Sequence, residues 1–202
     1  MEYWWINSWS YVMRQSLSLQ LVRKHLTPLM NNLKGLDYYF YGGCIRDLYQ
    51  GKLPNDYDIG CKTFEDLQAL INRLNELGWI LEMETAYGLK FKYLNNIIDV
   101  STSDIVEPMK KISEFDFTIN SIAYTFENIC MFHNTSFNDI EERKIVGLNN
   151  NTQDGEIIAD RSVKFWKDGY HSKGNTLPPS VDFSPSSVYV SEVKHGVFDV
   201  RK

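Results

Sequence analysis

Two short segments of the sequence carry residue types that can bind a triphosphate. The first, residues 41–47, reads Tyr-Gly-Gly-Cys-Ile-Arg-Asp, and the second, residues 56–58, reads Asp-Tyr-Asp. Gly42 and Gly43 allow a sharp turn whose N–H groups can approach a phosphate without a Cβ in the way. Arg46 follows in the first turn of a predicted helix, where its guanidinium could bind two phosphate oxygens. The first segment is therefore suited to holding a nucleoside triphosphate.

The second segment predicts a metal site. Asp56 and Asp58 lie two residues apart on a predicted strand, residues 56–60, so both carboxylates point to the same side. Such a pair repels unless a cation lies between them, and Mg²⁺ prefers oxygen ligands and bridges to substrate phosphates. Either segment alone is more often a structural turn or loop. The order strand, turn, helix, loop and strand favours the enzymatic interpretation.

Several predicted elements position these residues. A buried strand, residues 38–41, precedes the glycines, and a short helix, residues 44–50, follows them and directs its positive end at the same phosphates. A second helix is predicted at residues 64–77. Residues 87–93 and 96–100 predict two strands joined by a tight turn, which is a hairpin signal.

Three further polar residues could complete such a site. Asp99 lies among apolar residues of the second hairpin strand, where it could bind a second metal ion or accept a proton from an attacking hydroxyl. It could equally cap a strand end. Asp116 and Asn120 are four residues apart, one helical turn, with Thr118 offering a cap between them. Ordinary helix capping is the alternative for that pair.

Residues 42–58 resemble the signature of the DNA polymerase β-like nucleotidyltransferases, specifically the head domain of bacterial-type tRNA CCA-adding enzymes and poly(A) polymerases. Three later segments continue the resemblance in the correct order. They are Ile-Ile-Asp-Val at residues 97–100, Asp-Phe-Thr-Ile-Asn-Ser-Ile-Ala at residues 116–123, and Asp-Arg-Ser-Val-Lys-Phe at residues 160–165. The resemblance covers about residues 36–170.

The resemblance implies an α/β (α+β) fold with a mixed, mostly antiparallel sheet and flanking helices. It implies a metal-dependent transfer of nucleotides from a nucleoside triphosphate to the 3′-hydroxyl of RNA, with the tRNA 3′ end as the expected acceptor. The residues that it implies as catalytic and as ligands of two Mg²⁺ ions are Asp56, Asp58 and Asp99. Those that it implies as nucleotide-binding are Gly42, Gly43, Arg46, Asp116, Asn120 and Arg161, with Arg161 beside the base.

The sequence also departs from the family pattern. Glu114 and Phe115 stand where the family has two arginines, and Ile158 stands where an arginine reads the edge of the base. Arg161 alone remains in register. Apolar Ile158 cannot present the donors that distinguish C from A, so the nucleotide preference stays open.

Composition leaves the acceptor open as well. The chain of 202 residues suffices for one sizeable domain with appendages, and its net charge of -5 lacks the basic excess usual for proteins that bind tRNA by its phosphates. A protein or small-molecule acceptor is therefore one alternative, and a non-catalytic nucleotide-binding or interaction module is another. The three carboxylates argue against the module, because a binding module has no need to hold like charges together.

We expect three regions: an aromatic-rich helical segment at residues 1–35, the nucleotidyltransferase head at 36–170, and a flexible tail with a possible terminal hairpin at 171–202. The amphipathic helix at residues 16–33 is expected to be interrupted by Pro28. Five aromatic rings in the first eleven residues could pack on the core, stack on RNA bases or anchor an oligomer interface. Those rings belong to Tyr3, Trp4, Trp5, Trp9 and Tyr11.

Targeting and redox signals point to the cytoplasm. The N-terminal segment has neither a basic region followed by an apolar run nor a stretch long enough to span a membrane. The three cysteines are scattered without metal-ligand spacing, and their odd number suggests a reducing compartment.

Overall fold

The computed structural model describes residues 3–148, 155–172, 180–181, 183–184, 187–194 and 197–201. The helices are α1 (Tyr3–Asn32), α2 (Gly43–Tyr49), α3 (Phe64–Glu76), α4 (Pro108–Ser113), α5 (Ser136–Glu141) and α6 (Gly155–Lys167). The strands are β1 (Tyr39–Tyr41), β2 (Tyr57–Gly60), β3 (Ile80–Glu84), β4 (Gly88–Tyr93), β5 (Asn96–Ser101), β6 (Ile122–Thr125), β7 (Ile129–His133), β8 (Gly147–Leu148), β9 (Ser180–Val181), β10 (Val188–Lys194) and β11 (Val197–Arg201).

A mixed sheet of nine strands dominates the described part of the chain. Its strand order is β11-β10-β7-β6-β1-β2-β5-β4-β3. The pair β2 and β5 is parallel, and the other neighbours in this sheet are antiparallel. The predicted α+β class with a mostly antiparallel sheet is confirmed.

The parallel pair brings the two carboxylate-bearing strands together. The chain leaves β2 through α3, forms the outer strands β3 and β4, and returns as β5 beside β2. In that register Asp58 lies opposite Asp99. Parallel neighbours in register direct their side chains to the same face of a sheet, so the fold places both carboxylates on one side.

The two faces of the sheet are covered differently. Helices α1, α2 and α3 pack on one face, where Phe40, Ile59 and Ile98 are fully buried. Helix α4 packs on the opposite face against Tyr39 and Ala123. Helix α4 therefore covers part of the second face.

Helix α1 is longer than the sequence predicts and runs through Pro28 without a break. A buried stripe on one side of it, formed by Leu19, Val22 and Leu26, packs into the main core. This burial holds the helix together although proline lacks the N–H that would bond within it. None of the described helices combines the length and apolarity that a membrane crossing requires.

Three further elements correct or extend the sequence predictions. Residues 188–194 and 197–201 form a hairpin where the sequence predicted a possible terminal hairpin, and β10 pairs with β7. Residues 173–179 lie outside the described part of the chain. Strand β3 was not predicted, although residues 81–84 alternate apolar and acidic side chains; all five of its side chains are exposed.

Candidate active site

Three carboxylates predicted to be catalytic lie around the β2–β5 pair. Asp58 is in β2, Asp99 is its neighbour in β5, and Asp56 immediately precedes β2. Burial, together with the charges of Asp56 and Asp99, raises the pKa of Asp58 to about 7, although Lys111 and Lys90 oppose the shift. Burial also raises the pKa of Asp99, although Lys90 opposes that shift. Burial is the larger cause of both shifts, and the neighbouring carboxylates add to it.

Lys90 was not predicted to belong to this site. It lies opposite Asp99 across the β4–β5 hairpin, and its Nζ is 3.3 Å from Asp99 Oδ2. The other oxygen, Asp99 Oδ1, is buried and has no hydrogen-bond partner. The predicted hairpin turn at residues 94–96 fixes the register of the two strands. Counting back from that turn would have predicted that Lys90 lies opposite Asp99.

We asked whether these residues suit a metal ion. Within the described residues, no three acidic, histidine or cysteine side chains converge as a preformed metal site. The donors nevertheless fit Mg²⁺, because the half-buried Asp58 lies beside two other carboxylates and Asp99 Oδ1 has unused acceptor capacity. Mg²⁺ commonly uses one or two carboxylates and completes its shell with water and substrate phosphates.

The glycine turn is tightly packed against this site. Gly42 has φ 73° and ψ -134°, a conformation that residues with a Cβ rarely adopt, and its N–H donates to Ile122 O at 2.9 Å. A Cβ at Gly42 would lie 3.3 Å from the Phe115 ring and 3.9 Å from Asp58 Oδ2. Phe115, which replaces a family arginine, therefore packs over the turn where only glycine fits.

Arg46 is held from three sides. Its Nη1 donates to Asn120 Oδ1 at 2.6 Å and its Nε to Asp47 Oδ1 at 2.9 Å, and the guanidinium lies 5.1 Å from the centre of the Phe165 ring. The structure thus brings together two residues, Arg46 and Asn120, that the sequence placed in the same site. The sequence did not predict that Asp47 and Phe165 would hold the Arg46 guanidinium.

Asp116 and Asn120 do not share a helical turn, contrary to the prediction. The backbone is extended at Phe117, and a single 3₁₀ turn covers Thr118–Asn120. The extended part pairs with residues 146–148, since Leu148 N–H donates to Asp116 O and Thr118 N–H to the carbonyl of residue 146. Asp116 consequently faces Arg161, with which it forms an ion pair, and Asn120 faces Arg46.

A buried polar cluster supports this 3₁₀ turn from behind. Thr118 does not cap a helix; its hydroxyl donates to Asp139 Oδ2 at 2.6 Å. Thr135 donates to the same oxygen at 2.7 Å, and Lys144 Nζ lies 4.0 Å from Asp139 Oδ1. Asp139 is only 3% exposed. The cluster ties α5 to the segment that ends at Asn120.

Two clefts adjoin the carboxylates. The smaller, of about 440 Å³, contains Asp56 and Asp58, together with the predicted nucleotide-binding residues Gly43, Arg46, Asn120 and Arg161. The larger, of about 820 Å³, contains Asp99 and Lys90, and Arg161 lines both clefts. Gly42 lies beneath Phe115 at the smaller cleft, and Asp116 is buried behind Arg161. Six of the nine predicted residues thus line the smaller cleft; Gly42, Asp116 and Asp99 do not.

The position aligned with the base-reading arginine contributes to neither cleft. Ile158 is half-buried and packs against the main core. Its carbonyl accepts a hydrogen bond from the Ser162 hydroxyl at 2.8 Å within α6. Arg161, one turn further, is the α6 cation at the mouth of both clefts, with its side chain half exposed.

Comparisons with known proteins agree with the fold. The chain is 24% identical over 155 residues to a CCA-adding enzyme of Leuconostoc citreum and 23% identical over 177 residues to one of Leuconostoc mesenteroides. The matches cover 70% and 79% of this chain, but 36% and 44% of those enzymes, so the chain spans less than half of their length.

A solved structure has the same architecture. The Thermotoga maritima CCA-adding enzyme, complexed with tRNA, superposes on this chain with a TM-score of 0.52 at 18% identity. The matched region covers 72% of this chain and 37% of the Thermotoga maritima enzyme. The superposition shows a shared nucleotidyltransferase-like fold, and an identity this low shows the fold alone. A more specific match comes from a family model that covers residues 13–143, well over half of the 202 residues, and by that match the chain belongs to the Gabija anti-defense 2 family.

Proposed function

We propose that this protein is a metal-dependent nucleotidyltransferase, which joins the nucleotidyl group of a nucleoside triphosphate to a hydroxyl acceptor. The observation that carries the proposal is the register of the parallel pair β2–β5, which sets Asp58 beside Asp99 with Asp56 adjacent. A binding module has no need for such concentrated negative charge, whereas metal-assisted phosphoryl transfer does.

The smaller cleft would hold the triphosphate. Arg46, fixed by Asn120 and Asp47, directs its remaining guanidinium donors at phosphate oxygens, and Lys52 and Lys164 add positive charge to the same cleft. The preorganised Arg46 loses little side-chain entropy on binding. The positioning therefore comes from residues that the fold already holds in place.

The chemistry would follow from positioning and charge. Asp56 and Asp58 would hold Mg²⁺, which when bound neutralises charge on the phosphates and lowers the pKa of the acceptor hydroxyl. The acceptor oxygen bonds to the α-phosphorus, the bond to the bridging oxygen breaks, and pyrophosphate leaves with the electron pair. Asp99, whose Oδ1 has no partner, would accept the hydroxyl proton.

The RNA 3′ end is the acceptor that similarity favours. Both curated relatives are CCA-adding enzymes, and the Thermotoga maritima structure contains tRNA. Those proteins extend well beyond the matched region, so the assignment of tRNA to this chain is part of the proposal. The preferred nucleotide follows neither from Ile158, which is half-buried against the core, nor from Arg161 alone.

A protein hydroxyl is the second acceptor class. The family name denotes an action against the Gabija defence, and a component of that defence is a candidate target. The same carboxylates and the same triphosphate cleft would serve either acceptor. The acceptor alone distinguishes the two hypotheses.

The test is transfer of label from each α-labelled nucleoside triphosphate, with Mg²⁺, to tRNA lacking its 3′ end or to Gabija proteins. The Asp56→Asn/Asp58→Asn variant is the inactive control, and Glu65→Gln, an exposed carboxylate on α3, is the matched control. Label on RNA that requires both aspartates supports the first acceptor, and label on protein supports the second. Triphosphate that is bound but never consumed would overturn the enzymatic proposal in favour of a binding module.

A further inference from the structure

The third carboxylate of the candidate active site is already paired with a cation of the chain itself. Lys90 lies opposite Asp99 in the β4–β5 register, and its Nζ is 3.3 Å from Asp99 Oδ2. The charge of Lys90 also acts on Asp58, where it opposes the rise of the pKa that burial causes. One ammonium group therefore partly compensates two of the three carboxylates.

The described residues fit one metal ion better than two. Asp56 and Asp58 suffice for one Mg²⁺, which commonly uses one or two carboxylates and completes its shell with water and phosphates. Over the part of the chain that the structure describes, no third acidic, histidine or cysteine side chain converges with them on one point. A second ion would have to share Asp58 with Asp99, and there the charge of Lys90 would repel it.

We propose that Lys90 takes the place of the second metal ion, so that the site works with a single Mg²⁺ on Asp56 and Asp58. This inference rests on the proposed function, because it takes the carboxylates as the site of transfer. It adds the number of metal ions, and it makes Lys90 a positioning residue that acts through Asp99.

The pairing with Lys90 leaves one oxygen of Asp99 available for the acceptor proton. Oδ2 is held by Nζ of Lys90, whereas Oδ1 is buried and has no hydrogen-bond partner among the described residues. Lys90 also opposes the rise of the Asp99 pKa that burial causes. A carboxylate that is fixed and kept ionised suits a proton acceptor. A metal ion on Oδ1 would remove that capacity, and Lys90 supplies positive charge without occupying Oδ1.

The experiment counts bound Mn²⁺, an ion that takes the same oxygen ligands as Mg²⁺ and is visible by electron paramagnetic resonance. The full chain is titrated with Mn²⁺ alone at about pH 8, above the pKa of Asp58. We expect one ion per chain in the wild type and two in Lys90→Met, which removes the charge and keeps an unbranched side chain. Lys90→Arg keeps the charge and should bind one ion. Lys92→Met is the matched control, since Lys92 is on the same strand and pairs with Glu82 outside both clefts.

The spectrum gives a second readout, which a purely structural role of Lys90 would not change. Two metal ions that share a carboxylate in such sites lie about 3.5–4 Å apart. Two Mn²⁺ ions at that separation are magnetically coupled. We therefore expect the Lys90→Met spectrum to show a coupled pair that the wild type and Lys92→Met lack. A variant that was merely less stable would show no such pair.

The outcomes separate this inference from the proposed function. Two coupled ions in the wild type, or a single ion in Lys90→Met, would overturn the inference, and label transfer that requires Asp56 and Asp58 would still support the transferase. One ion in the wild type and two in Lys90→Met, without transfer to any acceptor, would support the role of Lys90 at the metal site and refute the proposed function. A wild type that binds no Mn²⁺ would overturn the inference, whatever the transfer assay shows.

Discussion

Asn120 accepts a 2.6 Å hydrogen bond from Nη1 of Arg46, a residue 74 positions earlier in the chain. The bond joins α2 to the 3₁₀ turn at Thr118–Asn120 and so fixes the guanidinium at the smaller cleft. Nucleotide binding should therefore depend on Asn120 even if this residue never touches the substrate.

Replacing Asn120 by Ala is expected to raise KM for the nucleoside triphosphate about tenfold. A hydrogen bond to a charged group contributes roughly 1.5 kcal/mol or more, and its loss frees the guanidinium to leave the cleft. Steady-state kinetics with each triphosphate measures the effect. Asn72→Ala, an exposed asparagine on α3, is the control. An unchanged KM for Asn120→Ala would show that Asp47 and Phe165 suffice to hold Arg46.

Gly42→Ala should destabilise the fold by about 2–3 kcal/mol. Alanine is strained at the positive φ of this position, and its Cβ would also crowd the Phe115 ring. Gly51→Ala has the same φ of 73° but open space around the Cβ, and should cost only about 1 kcal/mol. Urea unfolding of both variants gives the comparison. Equal losses would mean that Phe115 yields readily and that the packing over the turn is not specific.

In the absence of metal, the raised pKa of Asp58 should make the stability of the fold depend on pH in an unusual way. Its pKa rises from 3.8 to about 7 on folding, so the folded protein keeps a proton that the unfolded chain releases between these values. The free energy of unfolding should consequently fall through this range as pH rises. Asp58→Asn, which cannot titrate, should lose less stability over the same interval. Urea unfolding at pH 5 and pH 7.5 in a chelator measures the difference.

Adding Mg²⁺ should reverse that trend. A cation that binds the ionised carboxyl stabilises the folded state by mass action, and more at pH 7.5 than at pH 5. Parallel stability curves for the wild type and Asp58→Asn, with and without Mg²⁺, would contradict both the buried-charge argument and the metal assignment.

Asp139→Ala is expected to lower both stability and nucleotide affinity. It would leave the buried Thr118 hydroxyl without its acceptor, at roughly 1–3 kcal/mol, and would remove one contact of the half-buried Thr135 hydroxyl. Displacement of Thr118 would move Asn120 and so raise KM for the triphosphate with a smaller effect on kcat. Asp139→Asn keeps one oxygen and should recover part of both. A stability loss with unchanged KM would restrict Asp139 to a structural role.

The sequence predicted the local elements well because their signals are local. Helix α3 begins after Thr63, whose side chain accepts from Asp66 N–H, and the β4–β5 turn lies where Leu94 has a positive φ of 53°. Residues 56–58 and 116–120 were assigned to one site from motifs alone. The structure places Asp56, Asp58 and Asn120 at the same cleft.

The remaining features depend on contacts that local patterns do not encode. Phe115 covers the glycine turn, and Lys90 pairs with Asp99, through packing and register across the sheet. The helical reading of residues 116–120 was wrong because pairing with residues 146–148 draws Asp116 into an extended backbone. Strand β3 was missed although residues 81–84 carry the apolar–polar alternation typical of a strand.

The parallel pairing of β2 and β5 also has a kinetic consequence. Asp58 and Asp99 meet only after about forty intervening residues have been arranged into α3, β3 and β4, and closing such a loop costs chain entropy before any contact repays it. Such non-local pairing slows folding relative to hairpins. We therefore expect the β4–β5 hairpin to form early and the Asp58–Asp99 pair to be among the last parts to assemble. Nascent or partly refolded chains would then be structured yet inactive.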